Sequence, residues 1–253
     1  MASQIIGYYN SRKQKLLEDF DKTSELMKDR LSDRYGKEFA SKLHLEVRQE
    51  YEELIPDIPY IKGLRAKLLN IFLIITAQEL ATYKGMKKHG LSAAEAWEIC
   101  HQALRLRLAQ IPRWKRWLLK QIVFSPLVKK IIATRARKQQ KYRFGEFEIE
   151  YLIGKGNDFD LGVNYSQCGN LRFAIEHGGE EFAPYICMSD IALSDALGWG
   201  LIRTQTLADG CDYCDFRLKK GAATQISSQT PQVQQAIETI RDKEEKKGMV
   251  ENA

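Results

Sequence analysis

The chain has 253 residues, 44% of them hydrophobic and 28% charged, which bounds it to one large or two small globular domains with length enough for a core. Five cysteines are too few, and odd in number, for a disulfide scaffold, so a reducing compartment is expected and the thiols stay free for chemistry or a metal. The net charge of +6 arises in one block: no acidic residue lies between Glu98 and Glu146, thirteen Lys and Arg run from Arg105 to Arg143, and the rest of the chain nets −7.

The start, Met1-Ala2-Ser3-Gln4, has no basic segment leading into an apolar one, so no secretory signal is expected. The apolar run from Leu68 to Ile75 is far short of the roughly 20 residues a membrane span needs, and Thr76, Gln78 and Glu79 follow it. It reads as a buried helix. A cytoplasmic location follows, with membrane association as the variant that the basic block suggests.

Up to about Gln140 the chain reads as helical. Leu16, Leu17, Phe20, Leu26, Met27 and Leu31 recur at roughly helical spacing, and Gly36 interrupts the pattern. Phe39, Leu43, Val47, Tyr51 and Leu54 mark a second amphipathic helix, ended by Pro56-Asp57-Ile58-Pro59 because proline disfavours helix in the residue before it. A third helix, about Leu64 to Tyr83, is apolar nearly all round and belongs at the centre of the core. Ser92-Ala93-Ala94-Glu95 is a capping box, in which serine and glutamate satisfy each other's free N–H groups. It starts a fourth helix through about Leu108, which Pro112 stops. Two short basic helices follow, split at Ser125-Pro126.

The character changes at Tyr142. Phe147 to Ile153 and Asp158 to Tyr165 are short strand-like runs, and Gly154-Lys155-Gly156-Asn157 between them signals a hairpin turn. Cys168 to His177 reads as a short helix ended by Gly178-Gly179, and Pro184 to Leu197 as another with Gly198 as its stop. Leu201 to Leu207 and Tyr213 to Leu218 form a second strand pair around Asp209-Gly210. After Gly221 the chain is polar, and Pro231 to Lys247 reads as a charged, peripheral helix. The plan is α+β: a helical N-terminal half packed on a C-terminal α/β half with a small antiparallel sheet. Three regions result: 1–141 helical, 142–220 cysteine-bearing and catalytic, and 221–253 a polar tail.

Asn164 to Leu218 gathers the chemistry. It carries Cys168, Cys187, Cys211 and Cys214, with His177, Asp190, Arg203, Asp209, Asp215 and Arg217. Cys211-Asp212-Tyr213-Cys214 has the C-x-x-C spacing of zinc or redox pairs; equally, Cys214 inside a strand reads as a small buried apolar residue. Cys168 sits where a strand gives way to a helix, and free N–H groups at a helix start favour a thiolate. A structural cysteine at a turn is the other reading. Cys187 and Asp190, three apart, share a helix face and suit nucleophile and base, or two ligands. His177 suits a base or ligand, although Gly178-Gly179 beside it favours an exposed loop. Arg203 and Arg217 lie in the late strands, where an arginine facing a pocket makes a bidentate contact with a carboxylate and one facing solvent does not.

Two stretches, Leu201-Ile202-Arg203-Thr204-Gln205-Thr206-Leu207-Ala208-Asp209-Gly210 with Cys214-Asp215-Phe216-Arg217, and Pro184-Tyr185-Ile186-Cys187-Met188-Ser189-Asp190, follow Cys168 in an order and spacing that resembles the L-2-amino-thiazoline-4-carboxylic acid hydrolase family. The likeness covers roughly Phe147 to Leu218 and departs from the family pattern at Leu218, where an aromatic is usual. It implies hydrolytic opening of a small cyclic amidine or a related C–N or C–S substrate. Cys168, Cys187, Asp190 and Cys214 would be catalytic, and Arg203, Thr206 and Arg217 would bind substrate. No cofactor is then needed. Were zinc present instead, Cys168, Cys187, Cys214 and His177 would be its ligands. A more distant likeness to vinyl-reductase-type domains implies the alternative, a small-molecule or zinc-binding module without turnover.

The basic block mixes tryptophans with cations in Arg113-Trp114-Lys115-Arg116-Trp117-Leu118-Leu119-Lys120. Its readings are helices packed by their apolar side with lysines exposed, membrane-surface contact through 113–138, and a contact with a second copy. Nucleic acid is the weakest reading, since no recognition motif accompanies the charge.

Overall fold

A computed structural model of the chain describes residues 4–63, 66–155 and 158–251. The side chains of residue 4 and of residues 247–251 are left undescribed. Met1, Ala2 and Ser3, Leu64 at the expected start of the third helix, and Gly156 and Asn157 of the expected hairpin turn lie outside the described residues.

The fold is α+β, with a helical N-terminal half. A short strand β1 (Gln4–Ile5) pairs antiparallel with β2 (Tyr60–Ile61). Between them run α1 (Lys13–Glu25), α2 (Lys28–Tyr35) and α3 (Lys37–Leu54). The expected single helix through Leu31 is thus two, and Gly36, at φ +87°, separates α2 from α3 in a backbone region that other residues rarely adopt. α4 (Lys67–Lys87) is the central helix: Leu73, Ala77, Leu80, Ala81 and Met86 are wholly buried. α5 (Ala93–Ala109) opens on the expected Ser92/Glu95 capping box, with both reciprocal bonds formed. α6 (Arg113–Val123) and α7 (Pro126–Ala136) are the two basic helices, divided at Ser125, whose hydroxyl caps α7 by accepting from the Val128 N–H at 3.3 Å.

The C-terminal half is built on a six-stranded sheet in the order β3-β4-β5-β7-β6-β8. The strands are β3 (Lys141–Phe144), β4 (Phe147–Leu152), β5 (Leu161–Gln167), β6 (Leu201–Arg203), β7 (Cys214–Leu218) and β8 (Gln225–Ile226). Both expected strand pairs form, β4 with β5 and β6 with β7, each antiparallel. The sheet is larger than expected because β3 and β8 extend its edges, and β8 joins parallel to β6. Neither edge strand announces itself: Lys141–Phe144 alternates charged and aromatic residues beside a basic helix, and β8 is two residues long.

The helices α8 (Gly169–Glu176), α9 (Ala183–Ile186) and α10 (Asp190–Leu197) come between β5 and β6. The expected continuous helix from Pro184 is broken by one 3₁₀ turn, Cys187–Ser189, and ends on Gly198 in the left-handed conformation. One main cluster of buried side chains joins the two halves, running from Tyr9 through Trp97, Phe147 and Phe182 to Ile240. Tyr83 of α4 stacks face to face on Phe182 with centroids 4.7 Å apart. Aromatic burial of this kind contributes about 1.5–3 kcal/mol per side chain. The tail expected at the periphery docks: Val233, Ile237 and Ile240 of α11 (Pro231–Glu251) are buried in the same cluster, and Glu244 binds His101 and Arg105 of α5.

Candidate active site

The strand period of two sorts the C-terminal residues into two faces. Tyr165 of β5 pairs with Cys214 of β7, and Val163 with Phe216. In β6, Ile202 pairs with Arg217, which sets Arg203 on the face of Cys214 and Phe216. One face therefore carries Tyr165, Cys214, Phe216 and Arg203. The other carries Asn164, Asp215 and Arg217.

The segment from α8 to α10 lies over the first face and adds Cys168, Cys187 and Asp190. Gly169 lets α8 start close to the sheet. A Cβ there would come within 2.6 Å of the Phe147 ring, so any side chain would push Cys168 off the sheet. Asp190 is the first residue of α10, and its carboxylate accepts from Arg203 Nη1 at 2.5 Å.

Arg203 is the floor of the cluster, only 1% exposed. Besides Asp190, its Nη2 reaches Met188 Sδ at 3.5 Å and its guanidinium carbon stands 5.3 Å from the Phe216 ring centroid. Its Nε is buried without a hydrogen-bond partner. An arginine fork with one arm unmatched is costly in a protein interior and marks a place where an acceptor fits.

The thiols are free. Burial pushes Cys168 above the ordinary thiol range, although the N–H groups of Leu171 and Asn170 at the start of α8 pull the other way. The helix start therefore acts on Cys168 as expected, but desolvation outweighs it, and the depressed pKa read from the sequence is not found. Cys187 is pushed up further, by burial first and by Cys214 next. Cys214 is pushed up to about 12 by burial, while its sulfur accepts from the Leu207 N–H at 3.2 Å. Charge on any of these groups acts on the others: Cys168, Cys187, Cys214, Asp190 and Arg203 fall within one electrostatic neighbourhood. Asp190 is raised by burial against the pull of Arg203. Tyr165, raised by burial and then by Cys168 and Asp190, puts a neutral phenol in the same neighbourhood.

Two groups were missed from the sequence. Tyr165 was read only as the end of a strand. Glu79 was read only as a polar residue closing an apolar run, yet it is buried in α4 and accepts from Ser189 Oγ at 2.6 Å, directly beside Asp190. Burial raises its pKa to about 8, and the Asp190 charge adds to this. Its Oε2 has no partner. A glutamate in the middle of an otherwise apolar helix is the signal that could have found it. Glu79 and Cys100 also line an apolar cavity of about 440 Å³ among the N-terminal helices, walled by Leu43, Val47, Met86 and Ile99. None of the three clustered thiols lines that cavity, so the titratable groups, and not that apolar space, locate the chemistry.

The other candidates lie elsewhere or are already occupied. Arg217 is on the opposite sheet face, donating to Asn164 Oδ1 at 2.8 Å and to the Phe216 carbonyl at 2.9 Å, over the Phe159 ring. Thr206 is buried, and its hydroxyl donates to Asp209 Oδ2 at 2.8 Å and accepts from the Asp209 N–H at 3.1 Å in a local turn. Asp209 in turn anchors Ser228 and Thr230 ahead of α11. Asp215 accepts from the N–H groups of Thr204 and Gln205, both at 2.9 Å. His177 is bonded to the Phe173 carbonyl at 2.8 Å and to Asp57 at 3.3 Å. Among the described residues no three His, Cys, Asp or Glu side chains are arranged to hold a metal ion.

A buried arginine paired with a half-buried carboxylate beside three thiols, set between a mixed sheet and a covering helical segment, defines an α+β protein with a compact polar centre. Residues 72–218, more than half of the chain, match the family described as L-2-amino-thiazoline-4-carboxylic acid hydrolase, and the chain belongs to that family. The matched span runs from α4 to the end of β7 and so contains Glu79 and the whole cluster. No curated protein and no solved structure matches the chain.

Proposed function

We propose that the chain is a hydrolase that opens a small, carboxylate-bearing cyclic amidine of the 2-amino-thiazoline type at the Cys168–Asp190–Arg203 cluster. The observation that carries this is the buried Arg203, paired with Asp190 at 2.5 Å and left with an unmatched Nε beside three thiols. The unmatched donor is the anchor for the substrate carboxylate.

Cys168 is the nucleophile in this reading, because it is the thiol at a helix start, where the N–H groups of Leu171 and Asn170 offset part of the burial that raises it. Its sulfur bonds to C2 of the ring, the carbon joined to the ring sulfur and to two nitrogens, while Asp190 takes the thiol proton. The C2–S bond to the ring sulfur then breaks, and Asp190 returns the proton to the departing sulfur. Water next adds to the same carbon, with Asp190 taking its proton, and the Cys168 sulfur leaves and is reprotonated. The ring-opened product is a carbamoyl-cysteine, one water heavier than the substrate. Asp190 shuttles well because burial raises it toward the working pH.

The test is turnover of L-2-amino-thiazoline-4-carboxylate followed by mass spectrometry, with wild type beside Cys168→Ala. Ring-opened product from wild type alone supports the reading. Product from both moves the nucleophile to Cys187. Ligand retained by wild type without product would instead favour a binding module.

A further inference from the structure

α6 is mounted with its apolar side outward, and α7 exposes two large apolar residues while its Val128 and Ile132 stay half-buried. In α6 the half-buried residues are Arg116, Lys120, Gln121 and Val123, and a Cβ on Gly198 after α10 would meet the Lys120 Nζ at 3.0 Å. Trp114, Trp117 and Ile122 are 63%, 62% and 52% exposed, and Leu118 and Leu119 are exposed between them. At 100° per residue these five span one side of the helix. No residue of α6 or α7 is fully buried. In α7, Leu127 is 68% exposed and Ile131, one turn on, is exposed beside it. A helix packed for folding alone would turn the other way, since outward apolar surface of this extent is stabilised only by a further apolar phase.

We propose that α6 and α7 form a docking face for an anionic phospholipid surface. The surroundings carry the matching charge: no acidic residue lies between Glu98 and Glu146. Arg113, Lys115, Lys130, Arg137 and Lys138 are exposed and make no ion pair among the described residues. Tryptophan and cationic side chains together are suited to the headgroup boundary, where the ring sits among acyl carbons and the cation reaches phosphate. Lys115 falls inside the apolar arc of α6 and lies 5.4 Å from the Trp114 ring. At a lipid surface it extends to the headgroups, whereas the centre of a protein–protein interface is depleted of lysine. A nucleic-acid face would line its outer surface with cations, whereas the outward arc of α6 is mainly Trp114, Trp117, Leu118, Leu119 and Ile122. The contact is superficial, since among the described residues no helix is long and apolar enough to cross a membrane.

The experiment is co-sedimentation of the full chain with vesicles of phosphatidylcholine alone and of equal parts phosphatidylcholine and phosphatidylserine, at low and high salt, alongside Trp114→Ser/Trp117→Ser. Both tryptophans are exposed, so circular dichroism of the variant should match wild type. The expected result is binding to the phosphatidylserine vesicles, weakened by salt because exposed charges are screened. The double variant should bind about tenfold more weakly. Absence of wild-type sedimentation with either vesicle overturns the proposal. So does concentration-dependent dimerisation in analytical ultracentrifugation that the double variant abolishes, which would assign the face to a second copy.

Discussion

Arg203 and Asp190 meet at 2.5 Å beneath the three thiols, although one ends a strand and the other begins a helix. Breaking a buried pair leaves its partner charge uncompensated and costs about 3–5 kcal/mol. Arg203→Met should therefore destabilise the fold by about that amount, read as a lower urea midpoint at unchanged slope. Pairing it with Asp190→Leu removes the orphaned charge and should recover most of the loss, while turnover stays abolished. A double variant no more stable than Arg203→Met would show that the arginine acts through packing on Phe216 and Met188 instead.

Glu79 gives the fold a defined pH response. Its folded pKa, near 8, lies above the ordinary 4.5, so between those values the folded state binds a proton that the unfolded chain has lost. Stability from this group is full below 4.5, falls as pH rises through the interval, and levels off above 8. The fall amounts to a few kcal/mol. Glu79→Gln keeps the shape and the Ser189 partner while removing the titration. Thermal unfolding of wild type should decline from pH 5 to pH 8 more steeply than that of the variant. Parallel curves would mean that Glu79 is ionised in the folded protein.

The two strand arginines should separate sharply. Arg217→Met removes hydrogen bonds to Asn164 and to the Val163 and Phe216 carbonyls, a stability loss of about 1 kcal/mol. It lies on the sheet face away from the thiols, so kcat/KM should stay within about threefold, whereas a charge lost from the reacting site costs about 10²–10³-fold. A large loss for Arg217→Met, with the fold intact, would place the substrate on the opposite face.

What the sequence disclosed, and what it withheld, follows from physical range. Helix periodicity, the Ser92 capping box and the Gly198 stop are local, and each is found where expected. Cys168, Cys187, Asp190, Arg203 and Cys214 were legible as chemical types; the alternation of strand faces puts Arg203 and Cys214 on one side, and the helical segment over that face adds the other three. The same alternation, one residue out, carries Arg217 away, and a sequence without known register does not reveal that. Glu79 is 110 residues from Ser189; nothing local foretells such a contact. The pKa of Cys168 was misjudged for a related reason. A helix start is visible in sequence, while the depth of burial that opposes it is a property of the whole fold.

Burial and exposure together should order the cysteines in a labelling experiment. Cys100 is buried in the helical half and Cys214 under the sheet face, and burial raises both thiols. With iodoacetamide followed by peptide mapping, these two should react only on global unfolding, since alkylation needs both access and thiolate. Cys211 is partly exposed and should label first. Cys168 is also partly exposed, but its raised pKa keeps it a neutral thiol at pH 7, so its rate should lag an unfolded control there and climb as pH rises past the ordinary thiol range. Its reactivity and the turnover rate should climb together if its sulfur is the nucleophile. Cys168 labelling faster than the unfolded control at pH 7 would instead show that the N–H groups of Asn170 and Leu171 outweigh desolvation, and that the thiolate is preformed before substrate arrives.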